Sequence, residues 1–334
     1  MRVLTLLSPA KTLNWAPTPA SLSELWTQPK LLKEADPVIE VMQGKSKTDL
    51  KKLMSISDNI AVLNHQRFKD FLPSEKVNMD MPGNTFRPAA LAYDGPAYRG
   101  MDAKTFSPDD WVFGAESVRV LSGLYGVLQA TDLIQPYRLE MGSRVGVSGS
   151  KELYAYWKHA ITQCLLRDVR GSSGNSPADG FLVVNVASQE YSKAVDFRAL
   201  EDAGGKVVTC VFKDDGRVLS VFAKRARGLM ARHIVLTRAT DMGDLEAFSA
   251  EGYRLDRKQC SDGLLVFVRS KAQRVSPQPS QPVSSSARGK KRAATASATA
   301  PSPAGPTKTI ANGRVGKKQP KGKKKIPAAK VKRT

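Results

Sequence analysis

Apolar positions follow two rhythms along this chain. Short continuous runs bounded by polar loops predict buried strands at Val3–Leu7, Phe181–Val186, Val207–Phe212, Val218–Ala223 and Leu264–Val268. From Lys30 to about Phe71 the spacing is helical but broken into pieces. There Ser57-Asp58 reads as an N-cap and first turn, and the apolar positions continue through Ile60, Leu63, Phe68 and Phe71. Ser107-Pro108-Asp109-Asp110 is a second helix start: a capping hydroxyl, a proline suited to the first turn, and two carboxylates facing the positive end of the helix dipole. That helix is predicted from about 108 to 122, stopping at Gly123. Between 73 and 100, Pro73, Pro82, Gly83, Pro88, Gly95, Pro96 and Gly100 predict loops and short strands. Strands alternating with helices imply an α/β fold, a single domain over 1–270 with a mixed sheet surrounded by helices. No internal repeat is found.

Composition changes this picture at one end. Of 52 Lys and Arg residues, 17 fall in 271–334, where none of the 31 Asp and Glu residues lie; the tail therefore carries +17 and the body about +4. The tail is built from Ser, Pro, Ala, Gly and Lys and has no aromatic residue. Such a segment buries too little apolar surface to offset its ordering entropy, so disorder is expected. No apolar run is long enough to span a bilayer, and MRVLTLLSPAK reads as a buried strand and its loop rather than a signal peptide. Cys164, Cys210 and Cys260 are far apart, which argues against a disulfide framework and fits a reducing, cytoplasmic setting. His65, His159 and His233 have no metal-ligand spacing, and neither a metal nor a cofactor is expected.

Four polar clusters carry candidate chemistry, each beside a structural alternative. Ser8-Pro9-Ala10-Lys11-Thr12 follows the first strand, and loops at strand ends often carry function; the alternative is a shaped turn with a solvated Lys11. In extended Pro136–Gly142, Arg138 and Glu140 point to one face, either as an oriented pair offering donors to a phosphate or as a structural salt bridge. Asn185–Tyr191 leaves the carboxyl end of a strand, where open α/β sheets bind ligands, although Ser188 has the alternative of capping a helix at Gln189. In Lys224–Arg232, a helix would put Arg225 and Arg232 on nearly one face with Gly228 between them, letting a backbone anion come close. The alternative there is a solvated face, yet a helical glycine costs about 1 kcal/mol against alanine.

The run VLSGLYGVL, with Gly123 and Gly126 three apart, follows a capped helix and precedes a second apolar segment. It is a candidate helix-hairpin-helix, in which glycines let backbone N–H groups meet DNA phosphates. Tyr125 between Leu124 and Gly126 departs from the usual hairpin, and a tight turn in the core is the alternative.

Together SPAKTL, the SIS of 55–57, YDGPAYRGMDAKTFSPDD, LSGLYGVL, QPYRLEMG, NVASQEY and FAKRARGLMARHI resemble the YaaA family of peroxide-stress proteins, in family order over nearly all of 1–270. The resemblance implies a DNA-binding α/β fold with a helix-hairpin-helix and a positively lined groove. It also implies a role in peroxide resistance through limiting free iron, and so oxidative DNA damage. On that basis Lys11, Arg138, Lys224, Arg225, Arg227 and Arg232 are candidates for one groove, and Gly123 and Gly126 for phosphate contacts. The tail departs from the family pattern and resembles linker-histone tails; it should add sequence-independent, salt-dependent affinity. Its clusters at 289–292 and 316–325 would serve as nuclear import signals in a eukaryotic source. The expected protein is a monomeric, non-enzymatic DNA binder with no membrane partner. The competing reading is a nucleic-acid-modifying enzyme with Lys11 as amine nucleophile and Glu140 or Glu190 as acid/base partner.

Overall fold

The structure, a computed structural model, describes residues 1–18, 20–77, 85–170 and 180–274. The tail from residue 275, and with it both basic clusters, lies outside the described residues, as do Pro82 and Gly83. In chain order the strands are β1 (Arg2–Leu7), β2 (Thr12–Leu13), β3 (Arg87–Pro88), β4 (Tyr93–Asp94), β5 (Val118–Ser122), β6 (Gly126–Gln129), β7 (Leu133–Ile134), β8 (Phe181–Asn185), β9 (Gly205–Asp214), β10 (Arg254–Leu255) and β11 (Leu264–Arg269). The helices are α1 (Leu32–Gln43), α2 (Lys47–Met54), α3 (Asp58–Lys69), α4 (Ala89–Ala92), α5 (Pro96–Met101), α6 (Pro108–Ser117), α7 (Leu153–Arg170), α8 (Gln189–Ser192), α9 (Phe197–Asp202), α10 (Ser220–Thr237) and α11 (Met242–Glu246).

Seven strands form one mixed sheet in the order β10-β11-β9-β8-β1-β5-β6. Five of them, β5, β1, β8, β9 and β11, run parallel; β6 and β10 are antiparallel edges. β8 and β5 are buried along their whole length and β1 beyond Arg2, as expected of interior strands covered on both faces. From β1 the chain crosses to β5 on one side, whereas from β8 it crosses to β9 on the other. The crevice between the carboxyl ends of β1 and β8 is therefore a topological switch point.

Several sequence expectations are corrected. Helix α6 starts as predicted, with Ser107 and Asp110 in a reciprocal capping box, but ends at Ser117. Residues 118–122 instead pair in parallel with β1, Thr5 opposite Val118. The candidate helix-hairpin-helix is a β-hairpin: β5 turns through Gly123-Leu124-Tyr125 into β6, with Ser122 opposite Gly126. Val218–Ala223, read as a strand, is a linker and the first turn of α10. Its β-branched residues find both sides of β9 already occupied by β8 and β11, so tertiary context overrides propensity. On α3 the buried stripe is Ala61, Asn64 and Phe68, while Ile60 and Leu63 are exposed.

Gly228 answers to a helix and not to a phosphate. A Cβ there would overlap the Ala97 carbonyl oxygen of α5 and lie 2.5 Å from its carbon. Reciprocally, a Cβ on Gly100 of α5 would overlap the Arg225 carbonyl and come 3.0 Å from the Leu229 nitrogen. The two helices pack backbone to backbone through this glycine pair, which seats the amino-terminal half of α10 beside the switch point.

Candidate functional site

A cleft of about 260 Å³ lies at the switch point. The loop after β1 supplies Ser8 and Lys11, the loop and helix after β8 supply Ser188, Glu190 and Tyr191, and α5 supplies Tyr98. Helix α10 lays Lys224 and Arg227 along its rim. A shallow notch continues past Lys11 to Tyr137, Arg138 and Glu140.

The two strand-end loops are tied directly to each other. The Ser188 N–H donates to Ser8 Oγ at 2.8 Å, and the Ser8 hydroxyl donates to Ser188 Oγ at 3.2 Å. Ser188 stands at the N-cap of α8, but its hydroxyl makes no cap bond. Tyr98 donates its hydroxyl to the Ser8 carbonyl at 3.0 Å, fixing the loop from the α5 side. One residue earlier in the β8 turn, Asn185 Oδ1 accepts from the Ala187 N–H at 3.1 Å.

Glu140 gathers two of the cations. Its Oε1 accepts from Lys11 Nζ at 2.8 Å and from Arg138 Nη2 at 3.1 Å. Lys11 remains 64% exposed while the other two side chains are largely covered. The Arg138 Nε is buried without a hydrogen-bond partner among the described residues. Across the cleft, Glu190 Oε1 accepts from the Gly142 N–H at 3.3 Å, so the QPYRLEMG loop and α8 are held together. Burial lowers the affinity of the Arg227 guanidinium for its proton relative to a solvated arginine. Burial also pushes the Tyr191 phenol well above its ordinary range and Tyr137 up to about 12, so both rings present neutral hydroxyls. Tyr137 bonds Ser122 Oγ and the Tyr93 hydroxyl, each at 2.6 Å.

Of the eight residues expected to touch DNA, four line the cleft or its notch: Lys11, Arg138, Lys224 and Arg227. Arg225 is turned away to Glu251, 2.6 Å from its Oε1. Arg232 is consumed as a clamp, donating to the Met101 and Asp102 carbonyls at 3.1 and 3.2 Å and to Thr105 Oγ1 at 2.7 Å. Gly123 and Gly126 are buried. A Cβ on Gly123 would stand 2.6 Å from the Leu139 carbonyl oxygen, and one on Gly126 2.6 Å from the Trp157 ring, at a φ of +69°. The close approach those glycines permit is made by the chain itself. Trp157 Nε1 caps the turn by donating to the Gly123 carbonyl at 3.0 Å.

A larger cleft of about 690 Å³ opens at the opposite, amino end of β1. Its buried acid, Asp168, is already engaged by Arg119 Nε at 2.6 Å and by Lys30. Open α/β sheets place ligands at strand carboxyl ends, so the smaller cleft is the stronger candidate. Among the described residues no group of three or more His, Cys, Asp or Glu side chains is arranged to hold a metal ion, and no helix is long and apolar enough to cross a membrane.

The sequence model of the peroxide stress protein YaaA family matches residues 3–259. This chain belongs to the YaaA family. Among its relatives, a UPF0246 protein of Dinoroseobacter shibae is 42% identical over 272 residues, spanning 80% of this chain and 95% of the relative. UPF0246 proteins of Burkholderia mallei (strain SAVP1) and Burkholderia pseudomallei (strain 1106a) are each 42% identical over 271 residues, 80% of this chain and 98% of theirs. Residues 3–259 hold every strand of the sheet except β11 and all of the switch-point cleft, and the tail of this YaaA-family chain lies beyond them.

Sequence reasoning did not anticipate the Ser8–Ser188 bridge or the tyrosines of the cleft. Tyr98 sits in a Gly/Pro-rich stretch that reads as loop, and nothing in its spacing announces the short helix that aims it at Ser8.

Proposed function

We propose that this protein serves peroxide defence by holding nucleic acid at the switch-point cleft and shielding the strand from iron-dependent oxidation. The observation that carries the reading is convergence. Lys11, Arg138, Lys224 and Arg227 come from three distant chain segments and line the cleft or the notch that adjoins it at Lys11. Backbone phosphates are the polyanion such a set fits, and the contact is sequence-independent. The family's association with peroxide stress supports the setting, and the +17 tail adds a second, diffuse source of phosphate attraction.

Binding is favoured over amine catalysis by the state of Lys11. An amine nucleophile needs a desolvated setting, whereas Lys11 is 64% exposed and ion-paired to Glu140.

The test is a salt series with a protein truncated after Arg274, which keeps every strand of the sheet. Lys224→Glu with Arg227→Glu should lower the slope of log K against log salt by about 2, from roughly 0.9 per lost phosphate contact. A truncated protein that binds neither duplex nor single strand at low salt would remove the cleft from the account and leave the tail as sole binder.

A further inference from the structure

The cleft is not a plain anion site, because it carries both signs of charge. Lys224 and Arg227 have no hydrogen-bond or ion-pair partner among the described residues. Facing them are two carboxylates, Asp94 and Glu190. Asp94 is neutralised by Arg99, whose Nε and Nη2 reach its two oxygens at 3.1 and 3.3 Å. Glu190 spends one oxygen on the Gly142 N–H and keeps the other for a donor. A bare oxyanion would be repelled by Glu190, and a bare cation by Lys11, Lys224 and Arg227. A ligand that fits must bring negative charge to the α10 side and hydrogen-bond donors to the α8 side.

Size narrows this further. Small-molecule pockets commonly occupy roughly 300–1,000 Å³, so a cleft of about 260 Å³ admits a ligand smaller than drug-sized and excludes a duplex. Pro9 and Pro96, both half-buried, give it apolar wall against which a planar group can rest, with small parts of the largely buried Tyr98 and Tyr191 side chains.

We propose that this cleft receives one nucleotide unit, its phosphate against Lys224 and Arg227 and the donors of its base or sugar against Glu190. The inference rests on the nucleic-acid reading above and makes it specific. Within a strand, the unit must be turned out of the stack, at a cost of a few kcal/mol that is smallest at mismatched or unpaired positions. A free mononucleotide carries the same chemistry, and the two sources are separable by experiment.

Full-length protein is titrated into a duplex carrying 2-aminopurine opposite a mismatch, with anisotropy of a terminal dye read in the same sample. Turning out the base relieves stacking, so 2-aminopurine emission should rise several-fold as anisotropy saturates. Arg227→Met and the more exposed Lys224→Gln should each suppress the rise, while the tail maintains the anisotropy change. In a parallel arm dAMP is titrated alone against protein, followed by ligand-observed NMR. Loss of one charged contact should weaken it about ten- to one-hundredfold, as removing a charge-assisted hydrogen bond does. Inorganic phosphate at the same concentration should not compete, because Glu190 repels it. Saturable dAMP binding with flat 2-aminopurine emission assigns the cleft to free nucleotides and upholds the proposal. Flat emission together with no dAMP binding, while anisotropy still reports duplex binding, overturns the proposal, and duplex binding by the protein truncated after Arg274 then decides separately whether the nucleic-acid reading of the cleft stands. Failure of the anisotropy signal itself sinks both.

Discussion

Alanine at Gly228 and alanine at Gly114 are the same chemical change in two helices of this protein, and the packing gives them opposite signs. At Gly114 in α6 an added Cβ meets Val235 Cγ2 at 3.9 Å and Phe106 Cε2 at 4.0 Å, ordinary contact distances. There the helix propensity gain of up to about 1 kcal/mol should appear almost undiminished. At Gly228 the same Cβ overlaps the Ala97 carbonyl oxygen and lies 2.5 and 2.9 Å from the Ala97 carbon and Cα. The obstacle is backbone, so no rotamer change relieves it. Helices α5 and α10 must part by on the order of 1 Å, which undoes close packing along their shared face. Overpacking costs about 1–3 kcal/mol, occasionally more. Taking the upper figure and subtracting the propensity gain of about 1 kcal/mol leaves a net loss near 2 kcal/mol. For a body of this size that lowers Tm by about 4–8 °C, while Gly114→Ala raises it by a few degrees. The assay is thermal and urea unfolding of both variants beside wild type. Because α10 carries Lys224 and Arg227, nucleic-acid affinity of the truncated protein should fall with Gly228→Ala and hold with Gly114→Ala. Equal stability of the two variants would refute the helix-packing account of Gly228 and return that glycine to the list of ligand-approach positions.

Three further outcomes are expected. Asp132 accepts from Thr27 Oγ1 at 2.7 Å and the Gln129 N–H at 2.8 Å, yet burial pushes its carboxyl up to about 6. A folded value above the unfolded one contributes stability below about pH 4, and that contribution disappears as pH rises through about 6; relative to Asp132→Asn, wild type should lose up to about 3 kcal/mol between pH 4 and 7 in urea unfolding. Arg269 and Asp214 form a buried pair at 2.7 Å, with Tyr253 donating to the same carboxylate at 2.7 Å. Although burial opposes ionisation, these partners and Arg274 Nε at 3.1 Å hold Asp214 below the usual carboxylate range; because Arg274 stays, Arg269→Met should cost less than the roughly 3–5 kcal/mol of a wholly unpaired buried charge, and adding Asp214→Asn should recover part of it. Deleting 275–334 should weaken binding and flatten its salt dependence, since 15 of the chain's basic residues leave with that segment. A slope unchanged by the deletion would mean that the tail makes no phosphate contacts.

Four of the five interior strands were legible because nothing competes with a short apolar run flanked by polar loops. Val3–Leu7, Phe181–Val186, Val207–Phe212 and Leu264–Val268 fall on β1, β8, β9 and β11. β5 was hidden because its apolar residues continue without punctuation from α6, and what ends the helix is pairing with β1, over a hundred residues away. Val218–Ala223 failed for the complementary reason: its strand propensity is real, but both flanks of β9 are taken. The 18-residue α7 went unread, although Leu153, Trp157, Ile161 and Leu165 recur every four residues and are all fully buried.

The site was half legible, and the division follows from what a sequence can express. Strand-end loops announce themselves, so SPAKT and NVASQEY were both singled out; that they meet depends on β1 and β8 being neighbours whose onward connections diverge. Cation spacing on a helix also reads directly, but which cation is already spent does not. Arg225 and Arg232, seven residues apart in α10, are each captured by partners from elsewhere in the chain, Glu251 for one and the α5 carboxyl end for the other. Lys224 and Arg227, on the neighbouring face, are left for the cleft. Gly228, next to Arg227, is what permits this, because only a helix seated flush on α5 presents that face at the switch point. Packing and charge placement are thus one constraint in α10: a residue that spoils the seat of the helix also moves the two charges on the rim of the cleft.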